Sequence, residues 1–449
     1  MKKAKLTGRI VTPDDPNYEQ ARTNNNLNNP KFPSKIVFCQ KKKDVINALR
    51  WVQENNESFR IRSGRHSYEN FSLVSKGIII DVSEMNKIVV NPATMTAKVE
   101  AGANLGKVYH ALWEHGLTIP AGTESSVGVV GLTLGGGIGM LSRPFGLTCD
   151  NLIEVEMVRA SSHLGAELIT ANKHTNSDLF WACCGGGGGN FGIVTSLTFE
   201  LHPIMDVSIF SISWGWEDFE IAFDAWQHFA PHTDENLTSQ IELKSKEVGE
   251  IVAQGIFVGS PSKLKKLLRP LRNAGTPTNV WIKEVPYIKA VKFFDVPSGN
   301  QPALRKRSGS FIERTLPQKA IMEMKELLAN APNRNATIWQ QSLRGAVGEI
   351  PSSSTAYFYR NALIAQEYLT IWEDPEEEQQ NIRWIEKVRT TLSPYTSGDY
   401  VNFPDLYIQD WPTAYYGRNF RRLRDVKTKY DPKNVFQFPQ SIPPSRRWL

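Results

Sequence analysis

Four cysteines in 449 residues are too few for a disulfide framework, and Cys183 and Cys184 are adjacent, which disfavours a bridge between them. No cysteine pair has zinc-ribbon spacing, and the eight histidines contain no H-E-x-x-H pattern, so no metal site is expected. Long apolar runs are missing as well. The basic start at residues 1–6 gives way to Arg9, Asp14 and Asp15, with neither a signal-peptide core nor a membrane span. That lack favours a soluble, cytoplasmic protein, with export by another route or attachment to a surface layer left open. No repeat of roughly 20–50 residues is visible, which argues against solenoids and propellers. Basic charge is modest: Lys and Arg total 52 against 46 Asp and Glu, a net +6, where a nucleic-acid binder concentrates more on one face. The basic clusters at 41–43, 263–272 and 418–424 adjoin apolar residues at helical spacing and read as solvated helix faces.

Present instead is an ordinary globular composition over about three times the length of a typical domain of roughly 150 residues, so two domains are expected. Of 32 glycines, 13 fall within residues 122–139 and 185–192, marking backbone that approaches something closely. Strand patterns surround them at 78–82, 88–90, 97–99, 153–158 and 193–199, and helices are expected at 43–55 and 105–115, the second ending at Gly116. After His202-Pro203 glycine thins and aromatics increase. Residues 207–214 alternate with period two, and helical spacing runs over 219–229, 262–271 and 375–392. The mixture without a strict βαβ rhythm indicates α+β architecture. The expected division is 1–203, 204–397 and a C-terminal segment, 398–449, that returns to Gly, Asn and aromatic residues.

Two glycine runs with few charges suit a diphosphate, because bare backbone N–H groups can face phosphate oxygens. Neither is a P-loop, and residues 135–139 are not the G-x-G-x-x-G turn of a Rossmann unit. A nucleotide-like cofactor on another fold is favoured. His66 lies in a Ser-, Gly- and Tyr-containing loop, where by composition alone it reads as a hydrogen-bonded loop histidine.

The run Arg62-Ser63-Gly64-Arg65-His66-Ser67-Tyr68 resembles the R-S-G-G-H-x-Y loop of berberine-bridge-enzyme-like flavoproteins, of the vanillyl-alcohol-oxidase and p-cresol-methylhydroxylase (PCMH) group. The resemblance continues through residues 120–128, Gly131-Leu132-Thr133-Leu134-Gly135-Gly136-Gly137-Ile138-Gly139, 146–152 with Asn151, and Gly189-Asn190-Phe191-Gly192-Ile193-Val194. It resumes at residues 415–423 and 429–436, with Asn434, and at 440–444. It implies FAD as cofactor and a two-domain PCMH-type fold, whose substrate domain is an antiparallel β-sheet covered by helices. Residues 62–67 with Ala121, Gly122, Gly128, Gly131, Leu132 and Leu134 would cradle the pyrophosphate. Residues 190–194 would line the adenine and ribose, and Gly137, Gly139, Asn151, Gly189, Asn402 and Asn434 join the cofactor set.

The resemblance also implies a covalent bond from His66 to the flavin C8 methyl. Many relatives add a cysteine tether in A-G-x-C-P-[ST]-V-G. Here Glu124 stands at that cysteine's place in residues 121–128, so one tether is expected. Arg65 replaces a glycine and either meets a pyrophosphate oxygen or lies in solvent; Cys183-Cys184 stand where relatives often carry arginine. Hydride transfer to flavin N5 needs a base. Tyr68, Glu367 and Tyr415 match the candidates, with Arg360 either a cation able to stabilise a phenolate or simply a surface arginine. The leading reading is an oxidase that takes hydride from an alcohol, such as a sugar or another hydroxylated small molecule, and reduces O2 to peroxide. Val127 occupies the position whose small side chain leaves O2 room. A dehydrogenase with another acceptor, or a flavoprotein fold kept as a structural or coat component, remains open. Trp214, Trp216, Trp339, Tyr357 and Tyr359 are either core residues or sugar platforms.

Overall fold

The computed structural model describes residues 3–161, 163 and 165–445, so Met1 and Lys2 of the basic start, Ser162, Leu164 and residues 446–449 lie outside the described residues. Strand Ile78–Asp81 runs parallel to Lys35–Phe38 on one side and Phe59–Arg62 on the other, with Arg9–Val11 antiparallel at the edge. A strand covered on both faces reads as an unbroken apolar run, and Ile78, Ile79 and Ile80 are fully buried. Helix Lys42–Glu54 provides the long connection that a parallel arrangement requires. Beside this sheet lie five antiparallel strands in the order Ile88–Asn91, Thr96–Glu100, Ile193–Glu200, Leu152–Ser161, Gly165–Asn172. Helix Leu105–Trp113 is capped by the Asn104 side chain and is followed by Gly116 at φ 68°, a conformation that favours glycine.

From Asp206 the chain builds a seven-stranded antiparallel sheet. Its order is Asn279–Pro286, Asp206–Gly215, Glu250–Phe257, Leu237–Lys244, Thr337–Ser342, Ile364–Trp372, Leu304–Ile312. Helices Phe219–Phe229, Gln318–Ala329 and Glu378–Leu392 cover one face, where Trp214, Phe223, Trp226, Met324 and Ile385 form a dry core. The other face carries Gln240, Glu242, Lys244, Trp339 and Gln341 and looks onto a cavity. A sheet with one apolar and one polar face is what period-two alternation dictates. The helix expected at 262–271 is split into Pro261–Leu267 and Arg269–Arg272, because Pro270 has no N–H to continue the ladder.

Residues 398–445 pack back onto the glycine-rich segments. Tyr400 Oη accepts from Gly137 N–H at 2.9 Å, and Asn402 Nδ2 donates to Leu132 O at 2.9 Å. A Cβ on Gly135 would lie 2.1 Å from Asn402 Oδ1, so this docking admits no side chain at 135. Lys427 Nζ donates to Asn190 O at 2.7 Å, and Ile442 N–H donates to Asn190 Oδ1 at 2.9 Å. Among the described residues no helix is long and apolar enough to cross a membrane.

Candidate active site

A cavity of about 850 Å³ lies between the polar sheet face and the two smaller sheets, within the usual range for ligand sites. The loop that carries His66 enters it from strand Phe59–Arg62. Arg62 closes that strand fully buried, its Nε donating to Asp81 Oδ2 at 2.5 Å and its Nη2 to Ala21 O at 2.7 Å, which fixes the base of the loop. Gly64 is needed by contact: a Cβ there would stand 2.1 Å from Gly128 N of the facing loop. Arg65 adopts φ 60°, the left-handed region that costs an L side chain about 1–2 kcal/mol and accounts for glycine in related loops. Its guanidinium donates to Gln20 O at 3.1 Å.

His66 projects from the same loop. Its Nε2 lies 2.7 Å from Ser126 Oγ, while Nδ1 is buried without a hydrogen-bond partner among the described residues; Glu124 Oε2 stands 3.6 Å from it. Burial pushes the imidazole down to about 4, against the pull of the Glu124 carboxylate, so the ring is neutral at physiological pH.

Arg307 of strand Leu304–Ile312 joins the remaining groups. It donates to Tyr68 Oη at 2.5 Å, to Glu367 Oε1 at 3.1 Å and to Glu124 Oε1 at 3.1 Å, and its guanidinium carbon sits 4.6 Å from the Tyr68 ring centroid. Tyr68 stacks on Phe403. Burial raises the Tyr68 phenol well above its ordinary range despite Arg307, and burial also raises the Glu367 carboxyl while Arg307 opposes the rise. For Glu124 the order of causes is burial upward, then Arg307 and His66 downward, with a net lowering. Glu367 is therefore a buried carboxylate moved toward neutrality, the direction that improves a general base.

Tyr415 also borders the cavity, but its hydroxyl accepts from Asp405 N–H and bonds Gln440 Oε1 at 3.1 Å, apart from the Arg307 cluster. The Arg360 expectation is corrected. Its guanidinium is held by both oxygens of Asp150 at 2.7 Å and by Thr355 Oγ1, and Arg307 takes the place beside the phenol. Arg307 went unread in the sequence because Arg305-Lys306-Arg307 looks like a solvated charge run. Residues 304–312 show no apolar–polar alternation, so the sequence carried no signal that set Arg307 apart.

Most expected cofactor residues border the cavity: Ser63, Gly64, Arg65, His66 and Ser67, then Gly122, Val127, Gly128, Gly131, Leu132 and Leu134, and Gly189, Asn190, Gly192, Val194 and Asn402. Others stand behind that wall. Besides Arg62, Gly137 donates to Tyr400, and Gly139 packs against Ala121 O so closely that a Cβ would come within 1.7 Å. Asn151 donates to Phe145 O and Leu147 O, Ile193 pairs with Val158, and Asn434 holds a left-handed turn at φ 52°. Trp214 is core, Tyr357 and Tyr359 are buried, Trp216 packs at the edge of the helix-covered core, and Trp339 borders the cavity. Cys183 and Cys184 are buried, and nothing in the structure explains their replacing arginine.

The wall suits a flavin dinucleotide. A Cβ at Gly131 would meet nothing within 4 Å, so the glycine segment leaves space for a bulky group, and the unpartnered His66 Nδ1 borders the same cavity. The family described as "FAD binding domain" matches residues 33–164, and "Berberine and berberine like" matches 399–443. The chain is 59% identical to the FAD-linked oxidoreductase YgaK of Bacillus subtilis over the whole of both chains. It is 29% identical to reticuline oxidase of Eschscholzia californica, covering 93% of this chain and 86% of that one. Among solved structures, BBE-like 1 of Physcomitrella patens superposes with a TM-score of 0.92 at 27% identity, covering 99% and 98% of the two chains.

Proposed function

Because the chain belongs to the berberine-bridge-like family of FAD-linked oxidoreductases, we propose that it is an oxidase of alcohols in which Glu367 is the base. The observation that carries this reading is Arg307 bridging Tyr68, Glu367 and Glu124 at the cavity wall. When bound, FAD supplies the hydride acceptor and passes electrons on. The protein's part is proton chemistry and positioning. Burial raises the Tyr68 phenol despite Arg307, and the Glu367 and Glu124 carboxylates beside it disfavour a further buried negative charge. Tyr68 therefore stays protonated and orients the substrate hydroxyl, while Glu367 accepts its proton. Tyr415, bonded elsewhere, shapes the cavity.

Residues 1–203 and 398–449 hold the flavin in this reading, and 204–397 shape the substrate side. The loop 63–67 and segments 122–134 and 187–194 border the dinucleotide, and His66 forms the single covalent tether. Gln240, Glu242, Lys244 and Gln341 around Trp339 offer hydrogen bonds beside an aromatic face, which favours a sugar, an oligosaccharide or a similarly hydroxylated molecule. The small Val127 on the wall supports O2 as acceptor. A panel of mono- and oligosaccharides and aromatic alcohols, assayed for peroxide release, tests the reading. Peroxide from none of them, with another acceptor reduced instead, would refute the oxidase.

A further inference from the structure

A histidine that bonds through Nδ1 needs that nitrogen bare, and the groups that decide its state lie on the opposite side of the ring. Asp295 Oδ1 accepts from Ser125 N–H at 2.9 Å and from Asn300 Nδ2 at 2.8 Å. These bonds set which end of the Asn300 amide is nitrogen. Its Oδ1 then accepts from Ser126 N–H at 3.0 Å and from the Ser126 hydroxyl at 2.6 Å. A serine hydroxyl has a single hydrogen. With that hydrogen spent on Asn300, Ser126 Oγ meets His66 only as an acceptor. The 2.7 Å contact is therefore Nε2–H donating to Ser126, and Nδ1 keeps its lone pair, unpartnered at the cavity.

We infer that Asp295, Asn300 and Ser126 form a positioning relay that sets the His66 tautomer and makes Nδ1 the nucleophile for flavin attachment. The inference rests on the single-tether reading above. Ser126 belongs to the segment beside the flavin loop, whereas Asp295 and Asn300 lie about the turn that precedes strand Leu304–Ile312. The relay closes only when these parts are docked, so attachment is coupled to assembly of the cavity. Glu124 has a matching part. Attack by Nδ1 leaves positive charge on the ring until the Nε2 proton departs, and the Glu124 carboxylate, 3.6 Å from Nδ1, faces that charge. Gly299 makes room for it, since a Cβ there would lie 2.4 Å from Glu124 Oε1.

Attachment forms one bond, from Nδ1 to the flavin C8 methyl carbon, and breaks one C–H bond of that methyl. The C–H proton and the Nε2 proton both leave to solvent. The electron pair of the broken C–H bond reduces the flavin, and O2 takes up both electrons and both protons as hydrogen peroxide.

The test uses the full chain, produced flavin-free and mixed with FAD in air. Covalent attachment is followed by acid precipitation and intact mass, non-covalent binding by fluorescence quenching. Ser126→Ala should bind FAD yet attach it about tenfold more slowly, the effect of one lost hydrogen bond. Ser126→Thr, which keeps the hydroxyl, should restore the rate. In ¹⁵N-histidine spectra, assigned with His66→Asn, Nδ1 of His66 should be unprotonated in the wild type and mixed in Ser126→Ala. Should Ser126→Ala fail to fold, Asn300→Ala, which frees the serine hydrogen, carries the same expectation. Wild-type attachment with an unchanged rate in the variants, or a protonated Nδ1 in the wild type, overturns the relay. A wild type that never attaches flavin overturns the tether reading itself, and the relay with it.

Discussion

Replacing Arg307 with methionine removes the cation that Glu367 and Glu124 share and leaves both carboxylates in place. Each stands 3.1 Å from an Arg307 nitrogen, and the guanidinium side chain is only 5% exposed. Breaking a buried ion pair from one side costs about 3–5 kcal/mol, because the abandoned charge stays desolvated. The nearby Arg305 charge and water entering the cavity offset part of a doubled loss, so that range is expected for Arg307→Met. Neutralising the stranded groups as well, in Arg307→Met/Glu124→Gln/Glu367→Gln, should bring stability back to within about 1 kcal/mol of wild type. The sign with pH follows. In Arg307→Met both carboxyls are raised in the folded state, so its deficit is largest at neutral pH and shrinks as pH falls through the raised values. Urea unfolding monitored by tryptophan fluorescence, at neutral pH and near pH 5, measures all of this. A single variant as stable as wild type, or a triple variant as unstable as the single, would refute the charge argument.

Two further outcomes concern the flavin and the base. Glu367→Gln should keep its flavin but lose about 10²–10⁴-fold in turnover. In the wild type, turnover should rise with pH through a value above the ordinary 4.5 of a glutamate, because the ionised form is the base and burial raises its titration; steady-state rates against pH measure both. Acid-precipitated wild-type protein should keep its yellow colour in the pellet, and His66→Ala should release all flavin to the supernatant. Flavin in the wild-type supernatant would remove the tether.

Local chemistry was legible in the sequence where residues close in the chain act together. The loop 63–68, part of the glycine runs and Glu124 do line one cavity, and the strands and helices expected up to residue 203 match within a few residues. What was not legible depends on strands distant in sequence becoming neighbours. Arg307, on strand Leu304–Ile312 paired with Ile364–Trp372, meets Tyr68 across 239 residues of sequence. Arg360 looked equally available, yet Asp150, 210 residues away, holds it. The Asn300–Ser126 contact spans 174 residues and leaves no periodic trace. Trp214 and Trp339 could not be told apart by residue type, since opposite faces of one sheet assign the first to core and the second to the cavity.

Stopped-flow reoxidation tests the oxidase claim most directly. Flavin is reduced anaerobically by a substrate identified through bleaching of the flavin in the absence of air, then mixed with air-saturated buffer, for the wild type and for Val127→Leu. Val127 borders the cavity, and one added methylene there should obstruct O2 while leaving reduction by substrate nearly unchanged. An oxidase shows rapid wild-type reoxidation with one peroxide per flavin, and a marked slowing of that step alone in Val127→Leu at equal flavin content and melting temperature. A wild-type flavin that stays reduced in air, yet is oxidised at once by a quinone acceptor, would contradict the oxidase claim and make the protein a dehydrogenase.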